Sequence, residues 1–202
     1  MGRYTGPKHR LSRRFAENIG GYAKTPLARK PHLPGQHGPN ARRRKPSTYS
    51  KGMSEKQKLK AYFNLRERPF RRYVGIAIRM AGNSGENLIQ LLERRLDNMV
   101  YRMGLALTPR AARQLVAHGH VEVDGKKVDV ASYQVEPSQV VSICEKSRKH
   151  IQVQEAIQQY TDLVPYVKRD DAKCEATLVT TPPRAEIPLH IEERLVIEFL
   201  SK

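Results

Sequence analysis

Between Ser84 and Tyr133 the apolar residues change period, from helical to strand-like, and both halves are punctuated. Leu88, Leu92, Leu96, Met99 and Met103 recur at three- and four-residue steps, with Ile89 and Val100 beside them. That spacing predicts one helix from Ser84 to Met103, closed by Gly104. Ser84 is placed to cap its first turn, and Glu86 to meet the helix dipole. On this reading Arg95, Asn98 and Arg102 share an outward polar face. Thr108, Pro109 and Gly119 bracket a second helix as N-cap, first-turn proline and left-handed closing residue. Arg110, Arg113 and Gln114 fall on its polar face, and Ala112, Leu115 and Val116 on its inner one. After His118-Gly119-His120 the period drops to two. Val121 and Val123 alternate with Glu122, and Asp124-Gly125 supplies a tight hairpin turn. The fold class these signals define is α+β, with two helices packed on a small sheet.

Charge says what such a unit would meet. The 202 residues carry a net charge of +17, and it is unevenly placed. Residues 1 to 80 hold 21 Lys and Arg against three acids, Glu17, Glu55 and Glu67; the remainder is near neutral. So concentrated an excess points to a polyanion. The first 50 residues show no amphipathic stripe to enter a lipid surface, so nucleic acid is the expected partner rather than a membrane. Neither a signal peptide nor a run of roughly 20 apolar residues is visible. Cys144 and Cys174 are too few for a disulfide framework. The expected compartment is the cytoplasm, or an organelle matrix.

Residues 1 to 50 are interrupted by glycine and proline before any period can grow. Arg3, Lys8, Arg10, Arg13 and Arg14, then Arg42, Arg43, Arg44 and Lys45, fill the gaps. This composition suits either a disordered tail or an irregular basic extension ordered on RNA, its arginine forks bonding phosphates. Tyr4, Tyr22 and Tyr49 are suited to stack on unpaired bases, and His37 to lie in an RNA-contacting loop. From Ser54, read as an N-cap, a helix carries Leu59, Tyr62 and Phe63 inward and Lys56, Lys58 and Lys60 outward. A second begins near Pro69, with Phe70, Tyr73, Val74, Ala77 and Ile78 on one side and Arg71, Arg72 and Arg79 around the other. Further strands are expected at 140–143 and 175–181, a helix over 147–160, and a last helix from Leu189. That last helix has little surface of its own, so it should return to the helices of 54–82.

The organisation expected is therefore a basic extension (1–50), a helical domain (51–83) completed by the C-terminal helix (186–202), and an inserted RNA-binding module with its small sheet (84–185). Leu91-Leu92-Glu93-Arg94-Arg95-Leu96-Asp97-Asn98 and Ala112-Arg113-Gln114-Leu115-Val116 resemble the RNA-binding module of the bacterial-type S-four family of small-subunit ribosomal proteins. Met1-Gly2-Arg3-Tyr4-Thr5-Gly6-Pro7-Lys8, Pro34-Gly35-Gln36-His37-Gly38, Glu55-Lys56-Gln57-Lys58-Leu59 and Phe70-Arg71-Arg72-Tyr73 resemble the same family, in the same order. The resemblance implies a structural protein that binds small-subunit ribosomal RNA at a multi-helix junction and nucleates assembly of the subunit body. It further implies small-subunit proteins three and five as neighbours, messenger RNA at the ribosome's incoming channel, and a contribution to translational accuracy. Many members hold zinc with four cysteines near the N-terminus. Here His9 and Ser12 replace the first pair, so no metal and no cofactor is expected.

Arg95-Leu96-Asp97 is similar to the catalytic aspartate motif of pseudouridine synthases that share this module. Asp97 falls inside the module's own helix, however, and no catalytic domain fits in the rest of the chain. His118 and His120 have no Cys or Ser nucleophile in a recognisable arrangement. The expectation is a binder without catalysis or a small-molecule substrate. The alternative is a stand-alone RNA-binding or RNA-modifying protein with the same module. Direct RNA contact is expected from Arg3, Tyr4, Lys8, Arg10, Arg13, Arg14, His37, Arg42, Arg43, Arg44 and Lys45 in the extension. Lys56, Lys58, Arg71 and Arg72 in the helical domain, and Arg95, Arg102, Arg110, Arg113, Gln114, His118 and His120 in the module, complete the expected contact set.

Overall fold

The computed structural model describes residues 4–7, 9–22, 27–40, 47–160 and 163–201. The chain divides into two compact units, Met1–Gly85 with His190–Lys202, and Glu86–Leu189. Helices α1 (Arg10–Phe15), α2 (Thr48–Tyr62) and α3 (Glu67–Arg79) belong to the first. Helix α4 (Ser84–Glu93) leads into the second, which holds α5 (Leu96–Arg102), α6 (Pro109–Ala117), α7 (Glu145–Arg148) and α8 (Ile151–Gln159). Helix α9 (Glu193–Leu200) is again part of the first. The architecture is α+β.

In the first unit, α2 starts earlier than Ser54. Ser47 is the N-cap, its hydroxyl accepting from the Ser50 amide at 3.2 Å. Helix α3 starts at Glu67, two residues ahead of Pro69, which still lies in the first turn where no amide partner is required. Helix α9 begins at Glu193 rather than near Leu189 because α2 holds the preceding backbone by its side chains. Lys58 donates to the His190 carbonyl at 2.6 Å, and Glu55 accepts from the Glu192 amide at 3.3 Å. Helices α2 and α9 meet closely at Gly52, where an added Cβ would lie 3.1 Å from the Phe199 side chain. The Tyr49 and Phe199 rings are 5.2 Å apart. Lys56, expected outside, is buried. It ion-pairs with Glu67 at 3.0 Å and its ammonium sits 5.0 Å from the centre of the Phe199 ring.

The second unit is built on a five-stranded antiparallel sheet of order β2-β1-β3-β5-β4. Its strands are β1 (Val121–Val123), β2 (Lys126–Lys127), β3 (Val140–Ile143), β4 (Val167–Asp170) and β5 (Glu175–Leu178). Asp124 and Gly125 join the first two with φ of 49° and 74°, the paired positive angles that suit a two-residue hairpin. Val121, Val123, Val141 and Ile143 are buried, as are Leu88, Leu92, Met99 and Val116 on the helices. Strand β4 has no alternating apolar pattern and escapes sequence reading. The helix expected over 147–160 is split into α7 and α8.

Candidate nucleic-acid interface

The single helix expected from Ser84 to Met103 is two helices, and the break rearranges the site. Arg95 is extended, with φ −62° and ψ 136°. Around it the backbone pairs with residues 131–135 rather than with the preceding turn. Leu96 N–H donates to Tyr133, Asp97 N–H to Ala131, and Val135 N–H to Arg94, at 2.8, 3.3 and 2.9 Å. The expected outward face turns inside as a result. Arg95 is 1% exposed and forms a two-pronged pair with the Asp97 carboxylate at 3.0 and 2.7 Å. Arg102 is 3% exposed and pairs with the fully buried Glu93, which also accepts from the Tyr166 hydroxyl at 2.8 Å. Asn98 donates its amide to the Glu93 carbonyl at 3.0 Å. Arg95 and Arg102 therefore brace the unit from within, and their guanidinium groups are not presented to a ligand.

Helix α6 keeps its outward face. The Thr108 hydroxyl accepts from Ala111 N–H at 3.2 Å, Pro109 opens the first turn, and Gly119 closes the end with φ 71°. Ala112, Leu115 and Val116 are buried, whereas Gln114 and His118 are exposed and Arg110 half-buried. Arg110, Gln114 and His118 follow one another at four-residue steps, so they form a single stripe along the helix. Arg113 is held beside it by a 3.2 Å contact from Nη1 to Asp97 Oδ2. Asp97 thus accepts from Arg95, Arg113 and its neighbour's backbone amide, at 3.1 Å for the last. This is a structural use of the Arg-Leu-Asp string.

Past Gly119, His120 Nδ1 lies 2.8 Å from the buried Ser147 hydroxyl. Burial first, then the neighbouring His150, His118 and Lys127, hold the His120 pKa below its ordinary value. Burial likewise pushes up the thiol pKa of both Cys144 and Cys174, which are free cysteines. Neither is a poised nucleophile.

In the first unit the predicted cations separate into two groups. Arg13 bonds the His32 and Leu33 carbonyls at 3.0 to 3.2 Å and so ties a loop to α1. Lys58 pairs with Glu17 at 2.5 Å. These two, with Lys56, serve the fold. Arg10, Arg14, Arg72 and His37 are exposed, as is Arg71, which keeps a 3.1 Å pair with Glu67 one turn earlier. Tyr4 is half-buried, its hydroxyl 3.5 Å from the Pro7 carbonyl. Arg3, Lys8, Arg42, Arg43, Arg44 and Lys45 lie outside the described residues.

Some useful positions went unread in the sequence. Arg68 and Arg79 are exposed on α3 and extend the face of Arg72, since 68, 72 and 79 fall at helical spacing. Lys149 and His150 are exposed between α7 and α8 and are brought beside His118 and His120 only by the fold. Arg169 bonds the carbonyls of Met103, Ile157 and Tyr160 at 3.0 to 3.2 Å, capping the ends of α5 and α8 together.

Exposed arginines on α3 and the polar stripe of α6, in a chain of this charge, are the features of a nucleic-acid-binding protein. Two family models divide most of the chain between them, the ribosomal protein S4/S9 N-terminal domain over residues 3–93 and the S4 domain over 94–141. Small ribosomal subunit protein uS4 of Halalkalibacterium halodurans is 50% identical over 203 residues, covering 100% of both chains. The protein of that name from Bacillus cereus strain Q1 is 49% identical over 202 residues, again covering 100% of both. The chain belongs to the small ribosomal subunit protein uS4 family.

Proposed function

We propose that this chain is a structural, non-catalytic constituent of the small ribosomal subunit that binds its ribosomal RNA. The observation that carries the reading is the division of labour among the cations. Arg95, Arg102 and Lys56 are consumed by internal ion pairs and Arg113 is held by Asp97, yet Arg68, Arg72 and Arg79 on α3 are exposed and Arg110 on α6 is half-buried. Rigid elements fix the distance between phosphates that an arginine fork can bridge, which suits the shape of a folded RNA. The full-length likeness to uS4 proteins supports the ribosomal assignment.

The finer proposals follow the family resemblance. The RNA site is a multi-helix junction, and binding there nucleates the subunit body. Small-subunit proteins three and five are neighbours, messenger RNA passes close by at its incoming channel, and the chain contributes to accuracy of translation. Its place is the cytoplasm, on the ribosome. Among the described residues no helix is long and apolar enough to cross a membrane. The domain reading proposed is the helical domain of 51–83 with 186–202, the module of 84–185, and a basic extension of 1–50 that orders on RNA. The test is incorporation. Tagged protein expressed in a bacterial cell should sediment with small-subunit particles and stay through a high-salt wash, whereas recovery only in the light, RNA-free fractions would refute the assignment.

A further inference from the structure

Along the stripe of Arg110, Gln114 and His118 on α6 lies a cleft of about 600 Å³ that the ion pairs leave unused. One wall is Gln114, His118 and His120; the other, from the turn between α7 and α8, is Lys149, His150 and Ile151. The size falls in the range of roughly 300–1,000 Å³ typical of small-ligand sites. Its chemistry is unusual for a surface furrow. The His120 ring centre lies 6.1 Å from that of His118 and 5.5 Å from that of His150, so three imidazoles form one group. Ile151 is 75% exposed at the rim, an aliphatic side chain that the fold itself does not use. Among the described residues no cluster of His, Cys, Asp or Glu is arranged to hold a metal ion.

Resting on the RNA-binding reading above, we propose that this cleft receives one unpaired nucleotide of the bound ribosomal RNA. Arg110, Gln114 and His118 form one stripe along α6, and the last two line the cleft, so an RNA strand lying along that stripe reaches it without a break. A nucleobase has an apolar face and a polar edge. The exposed imidazoles of His118 and His150, with Ile151, offer stacking and apolar surface to the face. The Gln114 amide offers a donor and an acceptor to the edge. Lys149 supplies a cation for the phosphate, and no acidic side chain lines the cleft. His120 has a different task. Its contact with the buried Ser147 fixes the ring and ties the two walls together.

The test uses the full-length protein and its His118→Ala/His150→Ala variant, both side chains being exposed so that the fold is retained. On a small-subunit ribosomal RNA fragment that the wild type binds, the variant should bind about ten-fold more weakly, as loss of one stacked base predicts. It should also lose chemical protection of one or two unpaired nucleotides, with the remaining footprint kept. In a second arm, adenosine 5′-monophosphate should shift the imidazole NMR signals of His118 and His150 in the wild type, and inorganic phosphate should leave them nearly unmoved. Equal affinity and an identical footprint for the two proteins would overturn the proposal while leaving the RNA-binding reading intact. So would mononucleotide binding without any change in the RNA footprint, which would make the cleft a site for free nucleotide. Failure of the wild type to bind any such fragment would instead overturn the underlying reading.

Discussion

Asp97 is 5% exposed and faces Arg95, Arg113 and the Asn98 amide at once. It neutralises the buried Arg95 guanidinium and also sets the position of Arg113, which lies toward the surface. Removing one partner of a buried pair leaves the other charge stranded, at a cost of roughly 3 kcal/mol. Asp97→Asn should therefore lower unfolding stability by about that much in urea denaturation; a loss below about 0.5 kcal/mol, as for an exposed pair, would show the network to be incidental. Arg110 and Arg113 make a different prediction. Changed together to Lys, they keep their charge and lose the planar fork. Affinity for a folded ribosomal RNA junction should fall more than affinity for a plain duplex. Equal losses, with the circular dichroism unchanged, would mean these side chains add charge alone.

Among the elements, α2 and α3 are joined through Glu67. Partial burial works against its charge, but hydrogen bonds from Lys60, Lys56 and Arg71 outweigh it and lower the pKa from 4.5 to about 2. A carboxylate so depressed contributes stability above pH 4.5 and loses it as the pH falls through about 2. The side chain is 37% exposed, so solvent screening limits the contribution to about 1 kcal/mol. The stability gap between wild type and Glu67→Gln should thus be present at neutral pH and close between pH 4.5 and 2; a gap independent of pH would contradict the assignment. How well each element could be read from sequence follows from the range of the forces that form it. Thr108, Pro109 and Gly119 mark α6 by local rules, and Asp124-Gly125 marks the hairpin in the same way. The break between α4 and α5 has no local mark. Leu92, Leu96, Met99 and Met103 are all buried on both sides of it, so the apolar spacing runs on undisturbed while the backbone pairs with residues 131–135. Arg95, at the break, is buried on Asp97, and Arg102 on Glu93. Lys149, His150 and Arg169 were equally out of reach, because their partners lie far away in the chain.

Across the whole molecule, the excess charge and the α6 cleft lie in different parts of the sequence. Residues 1 to 80 carry a net charge of +18, while the other 122 carry −1 and contain all of α6 and its cleft. The basic part should govern the strength and salt dependence of binding, and the neutral part its selectivity. Deleting residues 1–50 should flatten the plot of log K against log salt, each lost phosphate contact removing roughly 0.7–0.9 from the slope. An unchanged slope would place the contacts elsewhere. Recognition of one folded site in small-subunit ribosomal RNA can be measured by competition. The purified protein would be offered a set of small-subunit ribosomal RNA fragments together with unrelated structured RNAs of equal length, at physiological salt. One junction-containing fragment should be retained at least about a hundred-fold over the rest, a margin that charge alone does not supply. Retention of all the RNAs in proportion to their length would contradict it.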